Sequence, residues 1–196
     1  MKHTIYFISH PEVVISADVP VTQWPLSDTG RSRMKRMLHA DWIPEISAIY
    51  CSNEQKAIDS AEILANFAGL KYVTREELGE NDRESTGFLE PAEFEATANK
   101  FFSSPQSSIR GWETADHAQT RIVDIVKQID REETTQGSIA VISHGAVGTL
   151  LYCYLAGKSI ERRWDQPGSG GGNYLKIQRQ AVPSCTWWKA IDSSAQ

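Results

Sequence analysis

Two histidines stand at matching places in this chain. His10 closes the run Tyr6-Phe7-Ile8-Ser9-His10, and His144 closes Ala140-Val141-Ile142-Ser143-His144. Each run is apolar and rich in β-branched or aromatic residues, as a buried strand is, and each ends on Ser-His. An imidazole mounted there can act as a nucleophile or carry a proton near neutral pH. One such histidine is usually structural; two in the same setting point to a site. Glu80, in Leu78-Gly79-Glu80-Asn81-Asp82, adds a carboxyl able to donate a proton. On its own, however, the acidic run of Glu76, Glu77, Glu80, Asp82 and Glu84 describes a solvated face. Lys56 reads either as an ordinary first-turn helix lysine or, since the helix dipole disfavours a cation there, as the mark of an anionic partner.

These residues need elements to hold them. Short apolar runs predict strands over residues 5–8, 48–51, 71–74 and 138–143. Helical spacing predicts helices from Ser27 or Asp28 over residues 31–38, from Ser52 or Asn53 through Phe67, from Pro91 towards Phe102, over 116–129 and over 145–155. Residues 11–26 read as a loop, and the stretch from Gln166 to Gln178 as a glycine-rich turn leading into a strand. Strands alternating with helices give an α/β fold with a mostly parallel sheet. In such sheets ligands bind beyond the carboxyl ends of the strands, where His10, residues 53–56 and His144 all fall.

The bulk numbers bound the class. With 196 residues, 40% hydrophobic and 23% charged, the chain is expected to form one globular domain over residues 1–196. Its formal charge of -5 argues against nucleic acid as the partner. No stretch reaches the roughly 20 apolar residues of a membrane span, and the first residues lack the pattern of a secretory leader. Cys51, Cys153 and Cys185 are odd in number and far apart, which suits the cytoplasm. Cys51 lacks the arginine six residues on that a cysteine phosphatase requires; residue 57 is alanine. His3, His39 and His117 have no metal-ligand spacing, and no metal or other cofactor is expected. The Gly168–Gly172 stretch precedes a strand instead of opening a helix, unlike a dinucleotide fingerprint or P-loop. Trp187 and Trp188 are expected to pack against the domain.

Four blocks, in order, resemble the histidine phosphatase superfamily of phosphoglycerate mutase-like proteins. Ser9-His10-Pro11 stands where the family has Arg-His-Gly after a strand. "SNEQKAIDSAEIL" from Ser52 resembles its Ser-x-x-x-Arg block, with Lys56 at the arginine. "LGEND" places Glu80 at the acid, and Ser143-His144-Gly145 matches the last block intact. "PLSDTGRSRM" is similar to the family's Leu-x-x-x-Gly helix start. The resemblance implies a three-layer α/β/α, phosphoglycerate mutase-like architecture. It also implies hydrolysis of small phosphomonoesters through a phosphohistidine on His10, with Glu80 as proton donor and His144 among the groups holding phosphoryl oxygens. Ser9, Ser16, Lys56 and the N–H groups of Gly145 and Ala146 fall at the substrate-binding positions, Ser16 being where some members carry asparagine.

The departures matter chemically. Arginine grips phosphate with a planar fork, lysine offers a point charge, and serine only a hydroxyl. Arg83, three residues beyond Glu80, is expected to supply the missing charge, the alternative being a solvated loop arginine. The competing expectations are a non-catalytic protein binding phosphorylated ligands or a partner on the same fold, and mutase-type phosphotransfer. Specificity is expected to come from residues 81–115 and 158–173.

Overall fold

The computed structural model describes residues 4–168, 170–178 and 184–193. His3 and Ser169 of the glycine-rich stretch lie outside them. The chain runs β1 (Thr4–Ser9), α1 (Asp28–Met37), β2 (Ile46–Ser52), α2 (Gln55–Ala68), β3 (Tyr72–Arg75), α3 (Pro91–Ser103), α4 (Ala115–Glu132), β4 (Ser138–Ser143), α5 (Gly145–Leu155), β5 (Asn173–Gln178), β6 (Ser184–Cys185) and β7 (Lys189–Ala190). The sheet order is β3-β2-β4-β1-β5-β6, with β7 also paired to β5. Its first four strands are parallel, while β5 runs antiparallel to β1 and pairs antiparallel with both short strands.

Alternation along the strands explains the layers. Ile5 and Phe7 join Ile139 and Val141 in one apolar cluster, packed under α4 and α5. Tyr6 and Ile8 join Ala140 and Ile142 in the other, under α1 and α2. A strand buried on both faces is apolar along its middle, and β1 and β4 are fully buried, with polar residues only at their ends. Trp188 packs its ring against Gly148 and Phe7 on the α5 side and is buried, whereas Trp187 is half exposed. None of the described helices is long and apolar enough to cross a membrane.

Two helix starts differ from expectation. Ser27 caps α1, its hydroxyl accepting from Gly30 N–H. At α2 the N-cap is Glu54, not Ser52 or Asn53, and its side chain makes no capping bond. The Ser52 hydroxyl instead accepts from Glu54 N–H at 3.2 Å, one step before the helix. The expected loop over 11–26 also holds a short helical turn at Val21–Gln23 and a bridge from Val13 to Leu26.

Candidate active site

Because β1 and β4 are adjacent and parallel with Ser9 opposite Ser143, the next residue of each strand falls at the same level. His10 and His144 therefore meet, ring centroids 5.1 Å apart and nearly perpendicular. The backbone fixes His10 from two sides: its N–H donates to Ser143 O, and its carbonyl accepts from Gly172 N–H, both at 3.0 Å. The glycine-rich turn is thus packed tightly onto the histidine. A Cβ on Gly171 would lie 2.2 Å from the His10 carbonyl, and its φ of +72° is one that only glycine adopts freely. Arg33 holds this turn from behind, donating to the Gly171 and Gly172 carbonyls and pairing with Glu12 and Asp192. Gly30 lets α1 approach, since a Cβ there would lie 2.2 Å from the Glu12 carbonyl.

His10 Nδ1–H donates to the Pro11 carbonyl at 2.8 Å. That bond fixes the tautomer and leaves Nε2 with its lone pair. Burial, reinforced by the nearby Lys56 charge, lowers the His10 pKa to about 4, so the ring is neutral at pH 7. Burial likewise pushes His144 well below its ordinary value. His144 is fully buried, and neither ring nitrogen makes a hydrogen bond among the described residues.

Glu80 follows the short helical turn after β3 and points back across the sheet edge. Its Oε2 accepts from Ala146 N–H and its Oε1 from Val147 N–H, each at 3.1 Å, so the carboxyl sits on the N-terminus of α5. Burial raises its pKa above the usual carboxylate value, against the opposing pull of Arg83. A raised pKa suits a proton donor. Arg83 stacks on the Phe94 ring at 5.1 Å and lies within electrostatic reach of His10, His144, Lys56 and Glu80.

A residue overlooked in the sequence lies among these groups. Glu54 is 7% exposed. Its Oε1 lies 3.2 Å from His144 Nε2 and accepts from Glu80 N–H at 2.8 Å. Its Oε2 pairs with Lys56 Nζ, which also donates to the Val21 carbonyl at 2.8 Å. Burial opposes ionisation of Glu54, but the Lys56 ammonium and the Glu80 N–H outweigh it and hold the pKa at about 2. The available signal was slight: a glutamate at a helix N-cap, where Ser, Thr, Asp and Asn are preferred, two residues before an unusual first-turn lysine.

Two expected substrate contacts are committed elsewhere, the Ser9 hydroxyl and the Ala146 N–H. The Ser9 hydroxyl is buried, donates to Gln166 Oε1 at 2.6 Å and accepts from Asn173 N–H at 3.0 Å. It ties β1 to β5, so it is scaffold. Ala146 N–H is taken by Glu80. Ser16 gives its main-chain carbonyl to the Trp24 indole at 2.9 Å. Gly145 abuts the Gln166 amide, leaving no room for a Cβ. A cavity of about 1120 Å³ opens beside the site between Glu54, Glu80, Asn81, Arg83, Trp112 and Arg121. Cys51 is fully buried and its thiol pushed up to about 12, the state of an inert core residue. Among the described residues no group of three or more His, Cys, Asp or Glu is arranged to hold a metal ion.

Comparisons with known proteins identify the family and the fold. The family model described as histidine phosphatase superfamily (branch 1) matches residues 5–181. No curated protein matches the chain. Among solved structures, YhfR from Bacillus stearothermophilus is similar at 21% identity and TM-score 0.76, over 94% of this chain and 95% of that one. A mycobacterial glucosyl-3-phosphoglycerate phosphatase is similar at 15% identity and TM-score 0.78, over 96% and 97%. A phosphoserine phosphatase from Entamoeba histolytica is similar at 15% identity and TM-score 0.77, over 96% and 98%. At these identities the likeness shows the fold, a mixed sheet flanked by helices of the phosphoglycerate mutase-like kind.

Proposed function

Because the chain belongs to the histidine phosphatase superfamily, we propose that it hydrolyses small phosphomonoesters through a phosphohistidine on His10. The observation carrying this is the His10 tautomer: Nδ1–H is bound to Pro11 O and the ring is neutral, so Nε2 is a nucleophile without a proton to lose. Nε2 attacks phosphorus as the ester P–O bond breaks, and the leaving oxygen takes the proton of Glu80. Water then attacks the phosphohistidine and returns a proton to Glu80, releasing inorganic phosphate and restoring His10. Lys56, Arg83 and His144 hold the phosphoryl oxygens as charge redistributes. No cofactor enters these steps.

Turnover of a phosphomonoester panel by purified protein, with chelator present, tests this. His10→Ala is expected to lower phosphate release at least about a thousandfold. Equal release by both proteins, or none by the wild type, would overturn the proposal.

One observation favours a second reading, a binding protein on a retired catalytic site. The Lys56 ammonium is already paired with Glu54, and Ser9 is withdrawn into the scaffold. A folded wild type that binds phosphate but releases none from any ester would establish it.

A further inference from the structure

Glu54 is poorly explained as a structural residue. It occupies the N-cap of α2 without capping it. Burying a carboxylate is expensive, and well-packed apolar residues commonly replace a buried ion pair without loss of stability. What singles it out is its set of neighbours. Lys56 Nζ, His144 Nε2 and the Glu80 N–H all converge on this one carboxylate. The first two are the groups that would grip a phosphoryl group transferred to or from His10, whose ring lies 5.1 Å from that of His144.

We propose that the Glu54 carboxylate is an internal competitor for the phosphoryl pocket, an anion supplied by the chain itself that must leave before a phosphate group is seated. This rests on the phosphoryl-transfer reading of the same site. The competitor has somewhere to go. Glu54 lines the cavity of about 1120 Å³, together with Arg83 and Asn81. Asn81 is 5% exposed, and its Nδ2 makes no hydrogen bond among the described residues, so it offers a spare donor on that side.

The consequence is selectivity by size and contact. A ligand that needs a minor conformation has its affinity reduced by the fraction of molecules in that conformation. Inorganic phosphate has only the pocket to bind and meets this penalty undiluted. An ester whose leaving group fills the cavity can offset it with contacts there. Glu54 therefore favours substrates with a bulky leaving group, and it weakens retention of the product.

The test is the affinity of inorganic phosphate and of orthovanadate, measured by calorimetry for wild type and Glu54→Gln. The amide keeps the shape and removes the charge. The variant is expected to bind both anions about ten- to a hundredfold more tightly. Equal or weaker binding would overturn the proposal and make Glu54 a residue that merely positions Lys56 and His144. Should Glu54→Gln fail to fold, wild type carrying carboxyl-13C glutamate answers the same question. The Glu54 resonance is expected to move on saturation with vanadate as the carboxylate leaves Lys56, the Glu80 N–H and the His144 ring, and a stationary resonance would contradict the proposal. The outcomes separate from those of hydrolysis. Tighter binding with no turnover in either protein keeps the competitor and removes the phosphatase, while turnover with unchanged binding does the reverse.

Discussion

The two halves of the site are built in different ways. At the end of β1, bonds to the main chain hold His10: its N–H to Ser143 O, Gly172 N–H to its carbonyl, its Nδ1–H to Pro11 O. At the end of β2 and the start of α2, side chains do the holding, with Lys56, Glu54 and His144 leaning on one another. A backbone frame tolerates sequence change around it, because any residue supplies an N–H and a carbonyl. Pro11, which has no N–H to give, still offers its carbonyl. A side-chain frame changes character with each substitution. Here the grip is a lysine balanced by a buried glutamate.

Lys56 should show the largest effect on stability. Lys56→Met leaves the Glu54 carboxylate buried without its counter-ion and is expected to lose about 3–5 kcal/mol. The double variant Lys56→Met/Glu54→Leu is expected to recover most of it, measured by urea unfolding. No recovery would mean the two residues are independent and the side-chain frame is not a unit. On the backbone side, Gly171→Ala forces a Cβ against the His10 carbonyl at positive φ, and is expected to cost about 1–3 kcal/mol. Its turnover should fall further than that of a surface variant of equal stability, since His10 is displaced. Arg83→Ala is expected to reduce kcat/KM and phosphate affinity by about ten- to a hundredfold, the loss of one charged hydrogen bond. Unchanged phosphate affinity would remove Arg83 from the grip.

The pH dependence of stability sharpens the same contrast, with the smallest effect. His10 titrates at about 4 folded against 6.5 ordinarily, so the unfolded chain binds more protons between those values. Stability is complete above pH 6.5 and declines as pH falls towards 4, and the lowered His144 acts in the same sense. Glu54, lowered from 4.5 to about 2, extends the decline across that lower window. Glu80, raised, acts in the opposite sense: the stability it contributes is present at low pH and lost as pH rises through its folded pKa. Urea midpoints at pH 7 and pH 5 should therefore differ less in His10→Gln than in wild type.

The sequence revealed what strands and short motifs encode. His10 and His144 were legible because each ends an apolar run, and the parallel ladder brings such ends together. Glu80 was legible through its motif, although not its seat on α5, which depends on how the loop after β3 folds back. Glu54 read as one polar residue among several at a helix start, since nothing local says that its carboxylate is buried against His144, 90 residues away in sequence. Ser9 was misread for the same reason, its partners Gln166 and Asn173 lying 157 and 164 residues along the chain. Helix α2 begins later than its apparent caps because Ser52 stays in the strand and bonds Glu54 N–H from there.

The central claim is that His10 takes the phosphoryl group. Its most direct test is to mix wild type with a turned-over phosphomonoester, quench in cold alkali within milliseconds, and map the phosphorylated peptide. Phosphate is expected on His10, stable in alkali, lost in acid and missing from His10→Ala. Phosphate release from wild type with no phosphohistidine trapped, or with the label on another residue, would contradict it.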